Sequence, residues 1–373
     1  MSAVWTLIDL LAERRDPVTL DDREWEAVIS VARAEALAAT LAERLADAAL
    51  PLEIAALFAD LRTAAKVQQS AALWEAEMAR RALEPAGVRF VLLKGTAYAA
   101  AGLPCAAGRQ IGDLDIMVAR EDLQRAEAAL LAAGWDWVKS DPYDDAYYRN
   151  YMHELPPLIH KDRDRMIDVH HTILPLTHRA TPDVEVLLKE ARSSLTPFVS
   201  SEVETPRKEA QAHGPLDFAR GEREGDFLVL EPGAMAVHCA VHVIADGDLA
   251  GGLRNLWDMH SLLESGIAID PDFGLHVMEE AAYHGLSAPV FQAIRLSRHL
   301  FDTTVPDYDW PIITLSFAMT RSDHLFLRAL TARDDWGRPT RPFTRLAFYI
   351  RSHWLRMPPL MLARHLWAKW RRG

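Results

Sequence analysis

The chain has 373 residues, of which half are hydrophobic and a quarter charged, and its formal net charge is −12. This composition is typical of a globular protein rather than a disordered one, and the length allows two or three units around separate cores. The acidic balance argues against a general nucleic-acid binder, because phosphate contacts need a basic surface.

The two cysteines, Cys105 and Cys239, lie far apart in the sequence. They provide neither a disulfide framework nor a cysteine zinc site, which fits a reducing compartment. Residues 1–15 lack the basic start of a secretory signal, and no apolar run reaches the ~18 residues of a transmembrane helix. We therefore expect a cytoplasmic protein.

Residues 1–85 are predicted to form a helical N-terminal lobe. Alanine and leucine recur at helical spacing from Trp25 to Leu45 and from Ile54 to Leu83. Asp21 or Asp22 is the expected N-cap of the first run, and Pro51 separates the two runs. No residue pattern in this lobe indicates chemistry.

Residues 86–230 are predicted to form a small mixed α/β core, because strand and helix patterns alternate there. An irregular connection is expected over residues 176–225, which are rich in Ser, Thr, Glu and Gly. The expected elements are a strand at 88–93, a helix at 96–101, a strand at 113–118, a helix at 121–133 closed by Gly134, a hairpin with arms 153–160 and 165–173, and a strand at 227–230.

Residues 231–373 are predicted to form a helical C-terminal region with a basic tail. Helical patterns run from Glu231 to Leu300 and from Trp310 to Leu330. From Trp336 onward there are nine Lys or Arg and no Asp or Glu. We favour a tail helix that packs on the acidic body, interrupted by Pro358-Pro359; contact with a membrane surface or an acidic partner is the alternative. The fold class is therefore α+β, a mixed-sheet core flanked by helical lobes.

The segment Gly112-Asp113-Leu114-Asp115-Ile116-Met117-Val118 alternates carboxylates with apolar residues at the strand period. Asp113 and Asp115 therefore share one face, and Asp168 is placed likewise on the second hairpin arm, between Ile167 and Val169. Three carboxylates on adjacent strands are suitable ligands for Mg²⁺, or for Mn²⁺, and can hold two ions. The alternative is that they are solvated strand residues, with Asp168 paired to a nearby arginine.

The Lys94-Gly95-Thr96 turn follows the first strand and precedes a helix. Glycine there allows a phosphate to approach the backbone, and Lys94 or Arg109 can neutralise triphosphate charge. Both cations can equally be ordinary surface residues. His170 is either an accessory catalytic residue or a structural, hydrogen-bonded histidine.

Two histidines, His238 and His242, stand four residues apart on a predicted helix, with His260 further along. We favour a packed helix face, because no glutamate follows His238 as a metalloprotease would require. A zinc hydrolase centred on these histidines is the alternative. Arg254 and Asp258 are expected to form a helical ion pair, with contact to a second substrate as the alternative.

The order of these segments resembles that of the DNA polymerase β-type nucleotidyltransferase superfamily. More narrowly, the chain is similar to the bacterial uncharacterised nucleotidyltransferases, which carry an L-K-G turn, an Arg ahead of D-[IL]-D, and a late I-D-[LV]-H. The matching segments are Leu93-Lys94-Gly95, Arg109, Asp113-Leu114-Asp115 and Ile167-Asp168-Val169-His170. One departure concerns the turn, where the superfamily usually has Gly-Gly or Gly-Ser and this chain has Gly95-Thr96.

The resemblance implies transfer of a nucleoside monophosphate from an NTP such as ATP, with release of pyrophosphate. It implies that Asp113 and Asp115 ligate both metal ions, that Asp168 completes the metal site on the side of the nucleophile, and that Gly95 and Thr96 contact the triphosphate. The acidic body favours a small molecule, a peptide or a protein as the acceptor over nucleic acid. The alternative is a catalytically silent module that binds a nucleotide or a partner protein.

Overall fold

The structure, a computed structural model, describes residues 2–139, 141–195, 226–245, 249, 251–306, 317–357, 362 and 367. Within these ranges, no helix is long and apolar enough to cross a membrane.

Four helices precede the first strand, as expected for the N-terminal segment. Asp21 forms a capping box with Glu24, since its carboxylate accepts from the Glu24 amide at 2.8 Å while Glu24 accepts from the Asp21 amide at 3.3 Å. Pro51 immediately precedes the longest helix. The four helices are α1 (Ala3–Leu11), α2 (Asp22–Ala34), α3 (Ala38–Arg44) and α4 (Leu52–Leu83).

Seven strands form one mixed sheet in the order β3-β4-β5-β2-β1-β7-β6. The central strand β2 is antiparallel to β1 and parallel to β5. The predicted hairpin is confirmed as the antiparallel pair β4–β5. The strands are β1 (Phe90–Leu92), β2 (Asp113–Val118), β3 (Trp135–Trp137), β4 (Leu158–His160), β5 (Met166–His170), β6 (Arg192–Ser193) and β7 (Leu228–Val229).

The helices that accompany the sheet are α5 (Lys94–Ala100), α6 (Leu123–Ala132), α7 (Pro142–Tyr151) and α8 (Val184–Lys189). The sequence did not predict α7, because none of its residues is buried and it therefore lacks an apolar stripe. Within the connection expected to be irregular, α8 and β6 are ordered elements, and residues 196–225 lie outside the described ranges. The mixed α+β class is confirmed.

Six described helices follow the sheet. The last predicted helical stretch begins at Arg321, where Thr320 and Asp323 form a capping box, and residues 307–316 lie outside the described ranges. These helices are α9 (Pro232–Ile244), α10 (Gly252–Ile269), α11 (Phe273–Tyr283), α12 (Ser287–Phe301), α13 (Arg321–Leu330) and α14 (Pro342–Arg356).

The start of the basic tail packs on the body of the protein. Phe348 of α14 meets the ring of Phe326 edge-on at 4.9 Å, and Arg351 donates to the Ile244 carbonyl at 2.8 Å. The expected interruption at Pro358-Pro359 lies outside the described residues.

The described residues share one hydrophobic core, although the length of the chain also allows two or three separate ones. Buried side chains from Val4 in α1, through Ile116 in β2, to Leu330 in α13 belong to one continuous hydrophobic cluster. The cause is that α4 packs against β2 and that α1 reaches α12, so helices from both ends of the chain share a core with the sheet. The domain boundaries at residues 85 and 230 stay predictions.

The loop before β2 is fixed to α3 through Gly108. This glycine has a φ of +65°, and a Cβ at this position would lie 2.4 Å from the backbone carbonyl of Ala39. Gly102 has nearly the same φ, +64°, but nothing lies within 4 Å of its Cβ position. The two glycines thus differ in packing and share the left-handed backbone.

We expect Gly108→Ala to destabilise the protein by roughly 2–5 kcal/mol, because about 1–2 kcal/mol of backbone strain adds to about 1–3 kcal/mol of overpacking. Gly102→Ala is the matched control and should cost only the backbone part. Urea unfolding of both variants measures the difference. Equal losses would show that the contact with Ala39 does not constrain this loop.

Candidate metal and nucleotide site

Three carboxylates meet where the parallel strands β2 and β5 run side by side. The strand register places Asp115 opposite Asp168. Asp113 lies two residues before Asp115 on the same face, while Leu114 and Ile167 are buried on the other face. One oxygen from each of Asp113, Asp115 and Asp168 lies within 4.8 Å of the others. The structure therefore brings together the three residues that the sequence placed on one face.

Two of these carboxyl groups are held in an unfavourable environment. The charge of Asp115, together with burial, raises the pKa of Asp113. Burial and the charges of Asp115 and Glu154 raise the pKa of Asp168 to about 7. Oδ1 of Asp168 is buried and has no hydrogen-bond partner among the described residues. The cluster can hold a divalent cation, which would relieve this repulsion and supply the missing partner.

Asp115 differs from its neighbours because two cationic or donor groups contact it. Nζ of Lys94 donates to its Oδ1 at 2.6 Å, and Nε2 of His170 lies 2.9 Å from the same atom. Burial alone would raise the pKa of Asp115, but the charge of Lys94 and the hydrogen bond with His170 keep it well below its usual range. Asp115 is therefore an anion in this structure.

Lys94 reaches Asp115 from a strained position. It is the first residue of α5 and has a φ of +48°, which an L-residue other than glycine rarely adopts. Burial lowers the pKa of Lys94, but the charge of Asp115, together with the hydrogen bond to it and the other nearby carboxylates, raises it by more than burial lowers it. Lys94 therefore stays protonated. Strained backbone of this kind is typical of functional sites, which supports a role for Lys94 at the carboxylates.

His170 connects the carboxylates to a second group of polar residues. Its buried ring stacks on His153 at 5.2 Å, and its Nε2 lies 3.6 Å from the Glu154 carboxylate. His153, Glu154 and His170 also offer ligand atoms within 4.8 Å of one another. The sequence did not reveal Glu154 as a site residue, because Pro156-Pro157 separates it from β4 and a single bridge to His170 sets its position.

Gly95 and Thr96 lie in the first turn of α5 and are both buried. The hydroxyl of Thr96 is buried and has no hydrogen-bond partner among the described residues. A Cβ at position 95 would lie 2.6 Å from Nε of Arg109, so the glycine makes room for this side chain. The contact of Gly95 and Thr96 with a triphosphate stays a prediction.

The contacts of Arg109 differ from those expected of a residue that binds phosphate. Its guanidinium is buried and forms an ion pair with Asp258, and it lies over the ring of Tyr98 at 5.6 Å. Arg254 pairs with the same Asp258, which confirms the predicted helical ion pair. Arg254 also donates to Thr40 in α3 and to the Cys105 carbonyl, the latter at 3.0 Å. This buried network joins α3, the loop before β2 and α10.

In α9, His238 is buried and His242 is half-buried, and both are neutral. Burial, with a smaller contribution from the charge of Lys94, lowers the pKa of His238 to about 3 and that of His242 well below its usual value. Among the described residues, the groups able to hold a metal ion do not include either histidine. His260 is hydrogen-bonded to Thr303 at 2.9 Å. The packed helix face is therefore confirmed, and nothing in the described residues supports the zinc hydrolase.

A family of uncharacterised nucleotidyltransferases matches residues 21–302. The chain belongs to this nucleotidyltransferase family. No curated protein matches the sequence. The matched range contains the carboxylate cluster and the Lys94 turn but ends before α13 and α14. Family membership and the cluster together fit a nucleotidyl-transfer role for the protein.

We expect Asp168→Asn to stabilise the metal-free protein by up to roughly 4 kcal/mol at about pH 8, because it removes a repelled charge whose pKa is raised to about 7. A folded-state pKa of about 7, raised from ~4 in the unfolded chain, means that wild type loses stability as the pH rises between these values. The advantage of Asp168→Asn should therefore grow over this window and then level off. Thermal melts in metal-free buffer measure it, with the exposed Asp162→Asn as control. An advantage that does not change with pH would contradict the proposed repulsion.

Removal of Asp258 should destabilise the protein strongly. Asp258→Ala leaves the buried cations Arg109 and Arg254 without their shared partner, and breaking a buried pair typically costs about 3–5 kcal/mol. Asp122→Ala, which breaks an exposed pair with Arg125, is the control and should cost less than about 1 kcal/mol. Urea denaturation compares the two, and a similar loss for both would show that Asp258 does not hold this network together.

Proposed function

We propose that the protein transfers a nucleoside monophosphate from an NTP to an acceptor hydroxyl, amine or phosphate and releases pyrophosphate. The observation that carries this proposal is the cluster of Asp113, Asp115 and Asp168 on adjacent strands. Family membership supports the reaction class. The acidic body favours a small molecule, a peptide or a protein over nucleic acid as the acceptor.

In this proposal the carboxylates hold Mg²⁺, with Mn²⁺ as a substitute. Asp113 and Asp115 would ligate both ions, and Asp168 would complete the site next to the acceptor. When bound, the metal supplies positive charge for the triphosphate and for the attacking atom. The buried, unpartnered Oδ1 of Asp168 fits such a ligand role.

The reaction forms a bond between the acceptor atom and the α-phosphorus of the NTP and breaks the bond to the bridging oxygen, so that pyrophosphate leaves. In this proposal Asp168, as the carboxylate next to the acceptor, would receive the acceptor proton. Lys94 would hold Asp115 in place and neutralise phosphate charge, and Gly95 and Thr96 would line the phosphate position. His170 orients Asp115 as a positioning residue.

One observation favours the alternative of a catalytically silent nucleotide-binding module. The ammonium of Lys94 lies 2.6 Å from Oδ1 of Asp115, so one metal-facing oxygen already has a cationic partner. In a silent module this ion pair would replace the metal. In the enzyme, Asp115 would bind the metal in addition to Lys94.

We expect the double variant Asp113→Asn/Asp115→Asn to lose activity by a factor of at least about 10²–10³, the typical effect of removing one group that stabilises transition-state charge. Pyrophosphate release and label transfer are measured with each of the four α-labelled NTPs, Mg²⁺ and panels of small-molecule, peptide and protein acceptors. Asp162→Asn, on the turn between β4 and β5, is the control and should keep wild-type activity.

The two functions differ in their response to metal. A transferase requires Mg²⁺ for turnover, and its activity disappears with a chelator. If wild type and the double variant are equally inactive with every NTP and acceptor, while nucleotide binds equally well without metal, the silent module replaces the enzyme.

A further inference from the structure

Helix α14 presents an apolar stripe to solvent, formed by Phe343, Leu346, Ile350 and Trp354. These residues follow one another at spacings of three and four, so they lie along one face of the helix. All four side chains are exposed, Phe343 by 86 % and Trp354 by 59 %. A surface helix ordinarily turns its apolar face to the core and its polar face to water. The exposed stripe is therefore a feature that the packing of the protein does not explain.

The inner side of the same helix fixes it to the body of the protein. Phe348 meets the ring of Phe326 edge-on at 4.9 Å, and Ser352 is buried. Arg351 donates to the Ile244 carbonyl at 2.8 Å. These contacts hold α14 in one position, so that a partner can reach the apolar stripe only from the outer side.

The apolar stripe is large for an exposed surface. An aromatic side chain covers about 150–250 Å², so Phe343 and Trp354 alone expose roughly 200–350 Å². Leu346 and Ile350 lie between them on the same face and are also exposed. Contiguous apolar patches above a few hundred Å² are rare on monomers and mark protein or membrane contacts. The stripe is therefore expected to have a partner.

The segment that carries the stripe is basic. From Trp336 onward there are nine Lys or Arg and no Asp or Glu, although the net charge of the chain is −12. Arg338, which precedes α14, and Arg345 in its first turns are exposed. At physiological salt the Debye length is about 8 Å, so charges farther than this from a partner are largely screened. The cations close to the stripe therefore count most, and they favour an anionic partner.

Two arguments favour a membrane surface over a protein as this partner. A second copy of the chain that met the stripe across a two-fold axis would bring the basic segments of both copies together, and these repel each other. A protein that takes an amphipathic helix into a groove contacts it from several sides, whereas one side of α14 is occupied by the packing of Phe348. An anionic lipid surface offers acyl chains to the stripe and negative headgroups to the arginines.

We propose that α14 binds the surface of a membrane that contains anionic lipids, with the apolar stripe among the acyl chains and the exposed arginines near the headgroups. Trp336 and Trp367 are exposed in the same segment, and tryptophan is favoured at the membrane–water boundary. The contact is peripheral, since among the described residues no helix is long and apolar enough to cross a membrane. It goes beyond the proposed function, because it concerns a surface and not the reaction.

The first test measures flotation of the full chain with vesicles of phosphatidylcholine, alone or with about 30 % phosphatidylserine. We expect binding to the anionic vesicles and at least about tenfold weaker binding to the neutral ones. Binding to the anionic vesicles should weaken as salt rises towards about 1 M, where the Debye length falls to about 3 Å. The absence of binding at millimolar lipid, or equal binding to both kinds of vesicle, overturns the proposal.

The second test removes the apolar contribution. Phe343→Ser/Trp354→Ser should weaken binding to anionic vesicles at least about tenfold, because it deletes most of the exposed apolar area of the stripe. Leu52→Ser/Val67→Ser is the matched control, since both side chains are exposed and apolar but lie in α4. The control should bind like wild type. Equal binding by wild type and the Phe343/Trp354 variant contradicts the proposed contact.

The third test removes the charges. Arg338→Gln/Arg345→Gln should weaken binding to anionic vesicles about fivefold for each removed cation, the equivalent of about 1 kcal/mol per Lys or Arg near such a surface. Arg89→Gln, at an exposed arginine far from this segment in the sequence, is the control and should bind like wild type. An unchanged affinity of the double variant contradicts the role of the arginines.

Two further measurements separate this proposal from the alternatives. Far-ultraviolet circular dichroism confirms that every variant folds, and light scattering without lipid gives the oligomeric state. If wild type forms a dimer that Phe343→Ser/Trp354→Ser abolishes, and does not bind vesicles, the stripe is an interface between two copies and the membrane contact is wrong. Because flotation needs neither NTP nor acceptor, its failure leaves the proposed transferase standing.

Discussion

The structure depends on one electrostatic constraint, which is the placement of three carboxylates on the buried, parallel strands β2 and β5. Asp113, Asp115 and Asp168 offer oxygens within 4.8 Å of one another, and the protein supplies a direct cationic contact only to Asp115 among the described residues. Two of the three pKa values are raised as a consequence. Such repulsion lowers the stability of the folded protein. It is expected at a site where a cation binds and where a proton is transferred near neutral pH.

The surrounding structure holds this unfavourable cluster in place from two sides. On one side, Lys94 and His170 fix the carboxylate of Asp115. On the other side, the network of Arg109, Arg254 and Asp258 ties α10 to the loop that leads into β2, and Gly95 leaves the space that Arg109 fills. Because this network is buried, its charges need partners within it, and Asp258 is the partner of both arginines. The network thus fixes the loop before β2 to α10.

The sequence predicted those features that depend on local periodicity. Alternation at period two placed Asp113 and Asp115 on one face, and the same rule applied to the hairpin identified Asp168. The N-cap at Asp21 and the strands β1, β2, β4, β5 and β7 were predictable from local sequence patterns, whereas β3 and β6 were not predicted. Features that depend on long-range packing were not: Arg109 pairs with Asp258, 149 residues later, and this contact cannot be derived from either neighbourhood. The continuous core could not be predicted, because composition and length do not show which helices pack on the sheet.

The carboxylate site and helix α14 lie on different sides of the limit of the family match. The carboxylates and the Lys94 turn lie within it, where the chemistry common to nucleotidyl transfer is expected. Helix α14 lies beyond residue 302 and contacts the body of the protein through Phe348, which packs on Phe326, while Phe343 and Trp354 are exposed. Under the proposed function, the chemistry therefore depends on the sheet and the Lys94 turn, whereas α14 contributes to the packing of the last described helices.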